Sequence, residues 1–155
     1  MSISLSYNLK IAIFDLDMTL WDGVQLYRDV KPILNMLRAN GVKLYIASFN
    51  EEAKACCEYL DIDHLFEEIL YGPNKTKLEM IRHVIKANQQ IKEYEMAFFD
   101  DDQSNLHEVK MATNVHTIHI DEYGLNFTHI GNMFSIDSGG SADFVIPDLD
   151  MFKLV

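Results

Sequence analysis

Cysteine is almost missing from this sequence: its 155 residues include two, and these are neighbours, Cys56 and Cys57, in a segment patterned as a helix. Adjacent cysteines rarely close a relaxed disulfide, so no disulfide framework is expected and both read as reduced thiols packed in or near a core. Basic residues are scarce as well. Thirteen Lys and Arg face 24 Asp and Glu, for a formal net charge of -11. A surface of that sign is not built to neutralise the phosphates of DNA or RNA, and no nucleic-acid partner is expected. Long apolar runs are lacking too. The opening MSISLSYNLK has no signal-peptide core, and no later stretch reaches the length that crosses a bilayer. A cytoplasmic location without a membrane partner is therefore the default expectation. Linker-like sequence is confined to Ile136 to Ala142, which contains SGGS.

What is present is enough for one ordinary globular domain over residues 1–155, with 48% apolar and 24% charged residues. Short apolar runs alternate with amphipathic segments, which predicts an α/β fold: a three-layer, doubly wound parallel sheet. Strands are expected at Ile11 to Phe14, Lys43 to Ala47, Glu68 to Tyr71, Glu95 to Phe99, Val115 to Ile120 and Asp143 to Ile146. Helices are expected at Lys31 to Ala39, Glu51 to Leu60, Lys75 to Ala87 and Gln103 to Ala112. Gly41 suits a helix stop, and Asn74 suits the cap of the third helix. In such sheets ligands bind beyond the carboxyl ends of the strands, where the winding reverses. Polar residues directly after apolar runs are the ones to examine.

Four clusters occupy those positions. In IAIFDLDMTLW, Asp15 and Asp17 follow the first strand, and two carboxylates that close invite a divalent cation with oxygen ligands, magnesium before others. In LYIASFN, the Ser48 hydroxyl can donate to a phosphoryl oxygen. In GPNKTK, Lys75 opens the third helix, where an ammonium group meets the positive end of the dipole and needs an anion; Lys77 competes for the same role. In MAFFDDDQSN, three successive aspartates, Asp100 to Asp102, stand at the end of a buried-looking strand that could meet Asp15.

The order DxDxT, then Ser, then Lys, then an acidic pair resembles the four motifs of the haloacid dehalogenase (HAD) superfamily, over residues 10 to about 120. DLDMTLW, YGPNKTK and FFDDDQSN are similar to those of its small capless magnesium-dependent phosphatases. The resemblance implies a Rossmann-like core without a cap domain and a phosphomonoester hydrolase working through an aspartyl-phosphate. Asp15 would be the nucleophile, Asp17 the proton shuttle, and Ser48 and Lys75 the holders of the phosphoryl group. Magnesium would be held by Asp15, Asp17 through its backbone carbonyl, and Asp101, with Asp100 and Asn105 in support. Thr19 would support the loop, and with Trp21, Phe49 and Asn50 it belongs to the residues expected near substrate.

Departures from that pattern concern the rim. Related phosphatases carry a longer flap after the Trp, and often Ser-Arg-Thr where this chain has Ser48, Phe49 and Asn50. With no room for a cap, the site should be open to a phosphorylated protein, phosphotyrosine included, or to a small phosphomonoester such as a sugar phosphate; a second subunit could also cover it. Two rivals compete: a non-catalytic phosphate-binding or interaction protein on the same fold, and a receiver-like signalling domain. The receiver pattern requires a lone aspartate after the third strand, which is missing here. His116 and His119 fall on opposite faces of a strand and read as ordinary strand histidines. His107 could approach the site from its helix, and Tyr123 to Phe134 is either a packing helix or a dimer patch.

Overall fold

The computed structural model describes residues 2–5, 8–131 and 134–137. Strand β1 (Ser2–Leu5) is followed by β2 (Ile11–Phe14), α1 (Val30–Ala39), β3 (Lys43–Ser48), α2 (Ala53–Tyr59), β4 (Glu68–Tyr71) and α3 (Lys77–Ala87). Then come β5 (Met96–Asp100), α4 (Gln103–Ala112), β6 (His116–His119), a short helix α5 (Phe127–Ile130) and β7 (Phe134–Asp137). Five strands form one parallel sheet in the order β4-β3-β2-β5-β6. The expected strand 143–146 lies outside the described residues. A pairing that periodicity did not reveal joins β1 to β7, antiparallel, with Ser2 opposite Asp137 and Leu5 opposite Phe134.

Between their ends the central strands are buried and almost wholly apolar because both faces are covered, as parallel sheets require. Alternation divides them between two cores. Ala12, Phe14, Leu44, Ile46, Ala97 and Phe99 face the layer of α1 and α2, while Ile11, Ile13, Tyr45, Ala47, Met96 and Phe98 face α3 and α4. Phe14 and Phe99 stack with ring centroids 4.7 Å apart. This is the three-layer doubly wound architecture, with no cap among the described residues. No helix there is long and apolar enough to cross a membrane.

Two features fix the carboxyl end of the sheet. Strand β2 pairs with β5 so that Phe14 lies opposite Phe99, and the Asp15 amide donates to the Phe99 carbonyl at 2.9 Å. The next residue on each strand, Asp15 and Asp100, therefore emerges side by side at the point where the winding reverses. The loop 121–126 is tied to the same end, since the Leu125 amide donates to the Thr19 carbonyl at 2.9 Å. Gly124, at φ +74°, is needed there twice over: its backbone is left-handed, and a Cβ would run into the Tyr27 ring. Gly124→Ala should cost about 2–3 kcal/mol and lower the melting midpoint by several degrees. An unchanged midpoint in a thermal scan would mean that the Tyr27 ring yields freely.

Candidate active site

Asp15 is the centre of a buried, hydrogen-bonded cluster, 7% exposed at the end of β2. Its Oδ1 accepts from Lys77 Nζ at 2.8 Å, and its Oδ2 from Thr19 Oγ1 at 3.1 Å. Lys77 Nζ also donates to Asp100 Oδ2 at 2.9 Å, so one ammonium bridges the carboxylates of two neighbouring strands. Asp100 is further held by the Asp102 amide at 2.9 Å and by Asn105 Nδ2 at 3.2 Å. The ammonium lies 5.0 Å from the centroid of Phe49 and 5.7 Å from that of Phe98, an aromatic lining that suits a desolvated cation.

The lysine in the cluster is Lys77 and not Lys75. Lys75 is exposed in the turn ahead of α3, whereas Lys77 is the first helical residue and is 2% exposed. The cause is the cap. Asn74 does not start the helix; Thr76 does, its hydroxyl accepting from the Glu79 amide at 3.1 Å. Thr76-Lys77-Leu78-Glu79 is the T-x-x-E pattern of a helix start, the signal that would have identified Lys77 from sequence.

The other expected residues are distributed unevenly. Ser48 is buried, and its Oγ accepts from the Asn50 amide at 3.1 Å. Thr19 is fully buried beneath Asp15 and so braces that carboxylate instead of reaching substrate. Phe49 is 43% exposed beside Lys77. Trp21 and Asn50 both point their N–H groups at Asp17 Oδ1, at 2.8 and 3.4 Å. His107 is exposed on α4 and has no hydrogen bond to the cluster. His119 is exposed, and its Nε2 lies 3.2 Å from the Asp101 carbonyl oxygen.

Three carboxylates, those of Asp15, Asp100 and Asp101, can each present an oxygen within 4.8 Å of the others. Lys77 alone cannot balance them. The oxygen-only donor set, the buried surplus of negative charge and the small spacing fit a hard divalent cation. The Asp17 carboxylate stands apart from this set, held by Trp21 and Asn50.

In the metal-free protein, burial pushes the Asp15 carboxyl up to about 7; Lys77 pulls it down and Asp100 pushes it up further. Asp100 is also raised, again by burial first and against the pull of Lys77. For Asp15 the sign is clear: between its ordinary 3.8 and about 7, the folded chain keeps a proton that the unfolded chain has released. Its stabilising contribution is complete below that window and lost as the pH rises through it. The melting midpoint of chelator-treated wild type should therefore fall from pH 4 to pH 7 relative to Asp15→Asn. Parallel curves for the two proteins would contradict the assigned environment.

Comparison with known proteins bears on the family and the fold. A model of the family described as Acid Phosphatase matches residues 22–134, a stretch that includes Ser48, Lys77, Asp100 and Asp101 and begins just after Asp17. Among solved structures, the chain is similar to a haloacid dehalogenase-like hydrolase from Streptococcus pneumoniae, at 15% identity over 81% of this chain and 91% of that one, with a TM-score of 0.63. It is similar to the N-terminal part of a Bacteroides fragilis protein containing a phosphatase domain complexed with Mg, at 19% identity and TM-score 0.62, over 85% of this chain and 42% of that one. It also resembles 3-deoxy-D-manno-octulosonate 8-phosphate phosphatase from Moraxella catarrhalis, in complex with magnesium, phosphate and KDO, at 22% identity and TM-score 0.51 over 66% and 63% of the two chains. Low identities of this kind speak for the fold, and the family match speaks for the lineage. The chain belongs to the acid phosphatase family, a phosphatase on the haloacid dehalogenase fold.

Proposed function

We propose that this phosphatase is a magnesium-dependent phosphomonoester hydrolase that passes the phosphoryl group through Asp15. The observation that carries the reading is the cluster of Asp15, Asp100 and Asp101 around a single buried Lys77. Asp15, Asp100 and Asp101 would hold the magnesium, with the Asp17 backbone carbonyl as a further ligand. When bound, that cation would offset the carboxylate repulsion and supply positive charge to the phosphoryl oxygens.

The chain's own groups divide the remaining work. An Asp15 oxygen attacks phosphorus as the bond from phosphorus to the leaving oxygen breaks, and the Asp17 carboxyl gives its proton to that oxygen. Asp17, now a carboxylate, takes a proton from water as the water oxygen bonds to phosphorus. The bond to Asp15 breaks, and inorganic phosphate leaves. Lys77 neutralises the charge spread over the equatorial oxygens, with Ser48 as a hydroxyl donor beside it. Thr19 and Asn105 keep the two carboxylates aligned.

Phe49, exposed beside Lys77, offers aromatic surface at the mouth, which suits a phosphate carried on a bulky group: phosphotyrosine in a protein, or a sugar phosphate. The formal charge of -11 disfavours polyanionic substrates. Phosphate release should be measured from p-nitrophenyl phosphate, a phosphotyrosine peptide and a sugar phosphate, each with excess chelator and again after magnesium is returned. The reading requires activity that disappears with chelation and returns with the metal. Full turnover in chelator would remove magnesium from the account.

A further inference from the structure

We infer that Trp21 and Asn50 are positioning residues for Asp17, and that their effect on the reaction falls on protonation of the leaving group. This rests on the reading above, in which Asp17 is the proton shuttle. Oδ1 of Asp17 accepts from Trp21 Nε1 at 2.8 Å and from Asn50 Nδ2 at 3.4 Å. Among the described residues no donor is bonded to Oδ2. One oxygen is thus pinned from two sides, and the other is left to carry the proton.

Both donors are themselves fixed, so they can hold Asp17. Trp21 sits in a small turn-and-ribbon element. Its backbone bridges Asp17 on one side and Leu26 on the other, its carbonyl accepts from the Met18 amide at 2.8 Å, and Met18 turns the chain with a φ of 62°. The Asp22 carboxylate closes the far end by accepting from the Val24 and Gln25 amides at 2.8 and 2.9 Å. Asn50 is orientated by its other atoms. Its Oδ1 accepts from the Glu52 amide at 2.8 Å, and its carbonyl accepts from the Ala53 amide at 3.1 Å, so the amide must turn its NH₂ toward Asp17. The side-chain oxygen is engaged and the NH₂ is directed inward, which leaves Asn50 little with which to bind a substrate.

A carboxyl group that swings about its side-chain torsions samples the leaving oxygen only part of the time. Two neutral donors on one oxygen hold it within hydrogen-bond reach of a single direction, as a general acid requires. The shorter contact and the more deeply anchored donor both assign the larger share to Trp21.

The test uses full-length protein with magnesium and a series of phosphomonoesters whose leaving groups range from p-nitrophenol to simple alcohols. A good leaving group needs little help from an acid, and an alkoxide needs much. Trp21→Phe, which keeps a ring and deletes the N–H, should lower kcat/KM about tenfold on alkyl phosphates and less than about twofold on p-nitrophenyl phosphate. Asn50→Ser should show the same trend more weakly, and the double variant should approach Asp17→Asn. Magnesium-dependent gain in melting midpoint should be unchanged in all of them. Losses equal across the series, or a rise in KM with kcat unchanged, would overturn the inference and return both residues to support of the fold or to contact with substrate. Asp15→Asn is run in parallel: if it stays active the proposed mechanism fails, whereas if it is inactive and the series is flat this inference fails alone.

Discussion

Lys77→Met should lower kcat/KM by about a hundred- to a thousandfold, while Lys75→Met stays within about twofold of wild type. The two lysines are two residues apart and chemically identical, so the contrast isolates position. Lys77 Nζ is buried between Asp15 and Asp100 at 2.8 and 2.9 Å; Lys75 is on the surface. Removing the ammonium withdraws the side-chain positive charge held between Asp15 and Asp100 and leaves two buried carboxylates facing each other, which also costs stability. Magnesium should restore part of that stability, because the cation takes over some of the balancing. Reading the magnesium-dependent midpoint beside the rate separates a protein that has lost catalysis from one that has lost its fold. Equal losses in the two variants would show that the ammonium between the aspartates does not serve phosphoryl transfer.

Asp15→Asn has the larger expected effect, with turnover reduced to background. An amide is a poor nucleophile and cannot form the acyl-phosphate, and no neighbouring group takes its place: Asp100 is held by Lys77, the Asp102 amide and Asn105. The same substitution should make the metal-free protein more stable at neutral pH, since burial raises the Asp15 carboxyl to about 7 and its ionisation there is unfavourable. Gain in stability with loss of activity is the signature of a strained functional carboxylate. A variant that lost both would place Asp15 among structural residues.

Much of this was legible before the structure because the chemistry lies where strand pattern stops. Ile11 to Phe14 stops at Asp15 and Glu68 to Tyr71 at Gly72, and the helix from Gln103 to Ala112 begins after Asp102, whose side chain accepts from the Ser104 amide at 2.8 Å. Local signals of this kind set the boundaries. The choice between Lys75 and Lys77 was less legible, because Asn74 and Thr76 both suit a cap, and a shift of two residues on a helix turns a side chain from the sheet to solvent. Trp21 and Asn50 were placed at the rim, yet their partner is Asp17, and for Asn50 that contact spans 33 positions. The pairing of Ser2–Leu5 with Phe134–Asp137 is more distant still. Periodicity reports which face of an element is apolar and says nothing about which remote segment meets it.

The central claim is that the phosphoryl group passes through Asp15, and rapid acid quench with a radiolabelled phosphomonoester tests it most directly. Enzyme mixed with substrate and magnesium would be quenched within the first turnover, digested, and its labelled peptide sequenced. Asp17→Asn would be treated alongside, because slower release should let the intermediate accumulate. The account predicts label on the peptide holding Asp15, more of it in Asp17→Asn, and none in Asp15→Asn. Label on any other residue, or release of phosphate at the full rate by Asp15→Asn, would contradict it.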